Sequence, residues 1–181
     1  MGPSLCYWIA EKNSRIRTES DMEKDIPPCN ITIDKEGVWY YNGDEIVRKE
    51  IINYFYQNLR KDESGRYIIE LENDCCYLDV EDTPFVVKAV YKSVTECSNE
   101  ECIYLLLSDQ SIDKLDPNSL KVENDNVLYC SIKNSAFDAR FSRASYYQIA
   151  DFIEYDSMKD KYFVVLNGKP FYIMFENSQE K

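Results

Sequence analysis

Two arginines offer the most specific chemistry in this chain. Arg48 and Arg143 each stand at the head of a segment whose apolar residues recur at helical spacing. A cation there faces the positive end of the helix macrodipole, at a cost of about 0.3–1 kcal/mol, so something should offset it. One offset is an anion held by the guanidinium and the free helix N–H groups. The other is an internal pair with Asp82 or Glu81, the commoner arrangement in a chain with 33 carboxylates. Tyr147 and Trp39 are candidate aromatic walls for an anion site, although Trp39, beside Asn42-Gly43, reads first as a core anchor. The candidate ligand-binding set is therefore Arg48, Arg143, Trp39, Tyr147 and Asp82.

The other reactive residues point to blander roles. Glu70, Glu72 and Asp74 alternate along one strand face, with Asp79, Glu81 and Asp82 close behind. Such clusters can hold Ca²⁺ or Mg²⁺ or supply a general acid. No D-x-[DN]-x-[DN]-G loop is present, and a solvated strand face that discourages edge pairing fits better. Ser111-Ile112-Asp113-Lys114 has S-x-x-K spacing, but the same spacing recurs at 178–181 and no K-T-G accompanies either. Cys75-Cys76 and Cys97-x₄-Cys102 lack the paired spacing of a zinc site and the C-x-x-C of redox catalysis. Core filling is the expected role of the strand cysteines, with Cys97 and Cys102 able to bridge a hairpin under oxidation. No Walker loop, G-x-G-x-x-G or G-x-S-x-G occurs. No catalytic residue, metal or cofactor is expected.

Composition narrows the field further. The charge is −12 and histidine is absent, which excludes imidazole triads, H-E-x-x-H zinc sites and phosphohistidine relays. That net charge makes nucleic acid and anionic membrane poor partners. Seven cysteines, an odd number without framework spacing, suggest mostly reduced thiols and a cytoplasmic address. Residues 5–10 are too short an apolar patch for a signal-peptide core, and the run 102–108 is too short to span a bilayer.

The elements that must position these residues follow from periodicity and turn chemistry. Residues 30–34 and 38–41 alternate as strands, and Asn42-Gly43 signals a hairpin. Ile51, Ile52, Phe55 and Leu59 lie on one face of a helix over 48–61, followed by strands at 67–71 and 76–80. Pro84 interrupts pairing, and 85–94 with 102–107 forms a longer hairpin. Strands at 127–132 and 137–141 precede a helix over 142–155 and a closing hairpin, 162–166 with 171–175, around Asn167-Gly168.

Laying 48–80 on 143–175 at a constant offset of 95 matches Arg48 to Arg143, Tyr67 to Tyr162, Leu71 to Leu166 and Tyr77 to Tyr172. This predicts an α+β fold of two related lobes, each with antiparallel strands packed on a helix, repeating a hairpin–helix–hairpin motif. The expected organisation is an arm over 1–29, a first lobe over 30–95, a connector with a strand over 96–125, a second lobe over 126–175 and a tail over 176–181.

Ile33-Asp34-Lys35-Glu36-Gly37-Val38-Trp39-Tyr40-Tyr41-Asn42-Gly43 and Ile46-Val47-Arg48 fit a D-G-x-W-x-x-x-G-x-x-I-x-R pattern, with Lys35-Glu36 inserted. Val80-Glu81-Asp82-Thr83-Pro84-Phe85 fits V-E-D-A-P-F, and 139–143 fits an Ala-x-x-x-Arg leading into an aromatic helix. In this succession the chain resembles the bacterial domain of unknown function 1285 family over roughly 30–175. Residues 73–76 depart from its usual Thr-Pro segment, and the tail after 175 has no counterpart. The resemblance implies an α+β fold of repeated motifs and no established enzyme activity.

The expected function is non-catalytic binding of a small anionic ligand or a protein partner, in bacterial signal transduction. Alternatives are an enzyme using carboxylate acid–base chemistry around Asp79 to Asp82, and a structural subunit of a homo-oligomer.

Overall fold

The structure, a computed structural model, describes residues 26–71, 74–95, 99–123 and 126–175. Most of the expected arm, the tail, Cys6, Cys97 and Glu72 lie outside the described residues. The first lobe comprises β1 (Pro28–Ile33), β2 (Trp39–Tyr41), β3 (Asp44–Glu45), α1 (Lys49–Asn58), β4 (Leu59–Lys61), β5 (Tyr67–Leu71) and β6 (Asp74–Val80). Its sheet runs β3-β2-β1-β6-β5-β4. Two antiparallel halves meet where β1 lies parallel to β6. Asn42 and Gly43, at φ 51° and 88°, make the tight β2–β3 hairpin that their types predict.

The chain then adds β7 (Phe85–Val94), β8 (Glu101–Leu107), β9 (Ile112–Lys114), a 3₁₀ turn (Pro117–Ser119), β10 (Lys121–Glu123), β11 (Val127–Ile132) and β12 (Phe137–Phe141). Next come α2 (Arg143–Ala150), β13 (Ile153–Asp156), β14 (Lys161–Leu166), β15 (Lys169–Tyr172) and β16 (Met174–Phe175). A seven-stranded sheet has the order β16-β10-β11-β12-β7-β8-β9, and β13-β14-β15 form a small third sheet. Residues 96–125 thus contribute three strands to the second sheet.

The protein is α+β, with two strand-rich lobes sharing one apolar core. An aromatic chain crosses between them. Trp39 stacks on Phe55 at 5.8 Å and meets Tyr56 edge-on at 4.9 Å, Tyr56 stacks on Phe85, and Phe85 meets Phe137 at 5.1 Å. Such pairs add about 0.5–1.5 kcal/mol each beyond their area burial.

Three expectations are corrected. The first helix stops at Asn58 because Leu59 turns extended (φ −74°, ψ 132°), burying its side chain and pairing with Ile69. The second stops at Ala150, and Ile153 and Tyr155 pair with Val164 and Tyr162 in β13. Cys76, expected to be a free core filler, is disulfide-bonded to Cys29 across the parallel β1–β6 seam, while Cys75, Cys102 and Cys130 are free. Among the described residues, no helix is long and apolar enough to cross a membrane.

Candidate functional site

α2 is fastened to the second sheet by polar contacts. Ser142 caps it by accepting the Ser145 N–H at 3.2 Å. The buried Ser145 hydroxyl donates to the Val87 carbonyl at 2.7 Å, and Gln148 Oε1 accepts the Val90 N–H at 2.7 Å. Ile149 is fully buried, whereas Arg143, Tyr146 and Tyr147 are exposed. These three line a groove of about 210 Å³ together with Arg140, Asn126 and Glu36. Tyr147 is 60% exposed, and its ring meets Tyr146 edge-on at 6.0 Å.

Asp82 lies directly behind this groove. Its Oδ2 accepts from Arg140 Nη1 at 2.8 Å and from the Tyr129 hydroxyl at 3.0 Å. Burial first, and then the neighbouring Asp82 carboxylate, push the Tyr129 hydroxyl up to about 12.

The internal pairs expected for Arg48 and Arg143 are therefore not the ones formed. Asp82 takes Arg140, and Glu81 Oε2 accepts the Lys35 backbone N–H at 3.1 Å. Among the described residues, the Arg48 and Arg143 side chains make no hydrogen bond or ion pair, and both are exposed. Arg143 is the first residue of α2, whereas Arg48 is the N-cap of α1 and does not line the α2 groove. Trp39 is 1% exposed in the core, away from any surface wall. The structure thus brings together Arg143 and Tyr147, with Asp82 reached through Arg140, and leaves Arg48 and Trp39 elsewhere. Arg140 and Tyr146 were missed as groove residues, although both flank residues already singled out.

A second feature had no single motif to announce it. Lys49, Ile52, Asn53, Tyr56 and Gln57 recur at i, i+3, i+4, i+7 and i+8, forming one face of α1. They wall two adjoining grooves of about 330 and 450 Å³ that share Asn53 and Tyr56, with the 106–111 turn opposite. The Tyr56 hydroxyl lies 2.8 Å from Ser108 Oγ and donates to the Pro84 carbonyl at 3.1 Å. Burial raises its pKa. Against the Tyr56 ring, the Trp39 indole N–H is buried without a hydrogen-bond partner among the described residues.

Two cations of this cleft are held by carbonyls. Lys88 Nζ donates to the Glu36 carbonyl at 2.7 Å, and Arg60 Nη1 donates to the Gln57 and Leu59 carbonyls at 2.9 and 2.7 Å. Lys133 differs, pairing with Asp109 at 2.8 Å. Burial raises the Asp109 carboxyl, but bonds from Lys133 and Ser111 outweigh it, and the net shift is downward.

Comparison with known proteins bears on the fold. Residues 22–83 match the family model described as domain of unknown function (DUF1285), N-terminal domain. The chain resembles the DUF1285 family. A crystal structure of a DUF1285 family protein from Silicibacter pomeroyi DSS-3 is similar at 18% identity and a TM-score of 0.67, covering 83% of this chain and 84% of that one. Another, from Shewanella baltica OS155, is similar at 18% identity and a TM-score of 0.56, covering 68% of this chain and 91% of that one. At these identities the likeness to DUF1285 structures establishes the fold alone. No curated protein matches the chain. The matched DUF1285 segment contains Trp39 and Arg48 and stops before β7, so it includes Glu36 of the α2 groove but neither Arg140 nor the α2 residues.

Proposed function

We propose that the chain binds a small anionic ligand without transforming it, in the groove at the start of α2. The observation that carries this reading is Arg143, a guanidinium without a carboxylate partner among the described residues, beside the exposed ring of Tyr147. The groove holds a second guanidinium, Arg140, already oriented by Asp82, and its volume suits one compact anionic group. Glu36 on the rim opposes the charge and favours ligands that keep their apolar or neutral part on that side. The carboxylate-enzyme alternative has less support, because the grooves described above do not include Asp79, Glu81 or Asp82 in their walls.

The repeated unit belongs to the same reading. In its favour, β5–β6 pairs Ile68 with Tyr77 and Leu71 with Asp74, while β14–β15 pairs Phe163 with Tyr172 and Leu166 with Lys169. Each pair is offset from its counterpart by 95 residues in both strands. α1 and α2 each precede such a meander, which makes Arg48 and Arg143 positional equivalents. A ligand-binding role in bacterial signal transduction and a cytoplasmic address complete the proposal. The free thiols of Cys75, Cys102 and Cys130 agree with that address, and the Cys29–Cys76 bond argues against it.

The test is a thermal-shift screen with inorganic phosphate, citrate and nucleoside monophosphates, using the full chain. A ligand at a hundred times its Kd adds about 2.7 kcal/mol, a shift of several degrees. Arg143→Ala should abolish the shift, Arg48→Ala should retain it, and Glu36→Gln should enlarge it. If none of these anions shifts the protein, or Arg143→Ala leaves a shift intact, the proposal fails.

A further inference from the structure

The cleft along α1 has a charge pattern opposite to that of the whole molecule. The chain carries 33 acidic and 21 basic residues, yet the walls of its two grooves hold four cations, Lys49, Lys88, Arg60 and Lys133, and one carboxylate, Asp109. Asp109 is spent on Lys133. Lys88 and Arg60 donate to carbonyls, which leave their charges uncancelled. Lys49 makes no hydrogen bond or ion pair among the described residues.

These charges are also arranged in order. Lys49 stands at the start of α1, and Arg60 follows its end. Between them Ile52 and Tyr56 supply apolar wall, and the half-buried Asn53 amide, with no hydrogen-bond partner among the described residues, stands where the two grooves meet. From Lys49 to Gln57 the helix rises about 12 Å. An extended chain covers that distance in about four residues. A narrow trough with cations near both ends and a free amide at its waist suits an extended backbone better than a single compact anion. The Asn amide can bond a peptide group through both its donor and its acceptor.

We infer that the cleft along α1 is a docking site for an extended peptide segment of a partner protein, one carrying acidic side chains about four residues apart. This goes beyond the small-anion site, which lies on α2 and shares no wall residue with the cleft.

The experiment is selection of a random octapeptide phage library on the full chain, followed by affinity measurement of the enriched peptides. Enriched sequences should carry Asp or Glu at two positions about four apart. Lys49→Glu should weaken them by about tenfold, the loss of one close charge contact. Selection repeated on Lys49→Glu should exchange one acidic position for a basic one, which loss of folding would not produce. Arg143→Ala should leave peptide affinity unchanged, so this test is separate from that of the α2 groove. The inference is overturned if no sequence is enriched, if enriched peptides lack spaced acids, or if Lys49→Glu has no effect. It is also overturned if Arg143→Ala abolishes binding, or if inorganic diphosphate at equal concentration displaces the peptide, which would make the cleft a small-anion seat.

Discussion

Arg140 Nη1 lies 2.8 Å from Asp82 Oδ2, an ion pair with both side chains about one-fifth exposed, and the Tyr129 hydroxyl shares the same oxygen. The pair ties β12 to the corner that precedes β7, where Thr83 also accepts the Arg140 N–H at 3.1 Å. Removing one partner leaves a partly buried charge unmet. Asp82→Ala is therefore expected to cost about 1.5–3 kcal/mol in urea unfolding. Combining it with Arg140→Met should recover much of that loss, because the orphaned charge is gone. A double-mutant cycle reads the coupling, and strictly additive losses would contradict it.

Gly37 is held by two constraints at once. Its φ is +77°, and a Cβ there would stand 2.9 Å from Cγ2 of the buried Val86 on β7. Gly65 has a similar φ of +81° with open space around it. Gly65→Ala should cost about 1 kcal/mol, the left-handed penalty alone. Gly37→Ala should cost clearly more by thermal unfolding, and equal losses at the two sites would remove the steric argument.

The Cys29–Cys76 bond closes a separation of 47 residues. On chain-entropy grounds such a loop is worth up to about 4 kcal/mol. Reductant, or Cys29→Ser, is expected to lower the Tm by several degrees in oxidised preparations. Cys75→Ser should leave it nearly unchanged. A Tm indifferent to reductant would mean that the bond does not form in solution.

Acid should unfold the protein through particular carboxylates. The Ser64 hydroxyl first, against some burial cost, and then Arg66 hold Asp62 down at about 2 from the usual 3.8. Asp109 is lowered as well. A carboxylate whose folded pKa lies below its unfolded value contributes stability that is complete above the unfolded value and lost as pH falls through the folded one. The Tm should therefore decline from about pH 4 toward pH 2, and less steeply in Asp62→Asn and Asp109→Asn. An unchanged slope in both variants would assign the loss to other groups.

Much of this fold was legible because its signals are local. Asn42-Gly43 specifies its own hairpin, and the face of α1 shows in the spacing of Ile51, Ile52 and Phe55. Where the second helix ended was not legible, since Ile153 and Tyr155 suit either state until Val164 and Tyr162 pair with them. Arg140 as the partner of Asp82 was hidden for the same reason, because β12 lies beside β7 only through a parallel pairing between segments distant in sequence. Arg143 and Tyr147 were found because both sit on one short helix. The α1 cleft was missed because its second wall comes from the 106–111 turn, which periodicity cannot place.

The parallel β7–β12 pairing also sets an order of assembly during synthesis. Every strand of the first sheet lies between residues 28 and 80, so that sheet can close once about that much chain has left the ribosome. The second cannot. β7 must wait for residues 139–141, and β10 waits for Met174 and Phe175 before it gains its last neighbour. In the interval β7 and β8 present an apolar hairpin with an open edge, the form most prone to pairing with another nascent chain. Slow translation across residues 108–138 would prolong that exposure, and chaperone engagement should be strongest there.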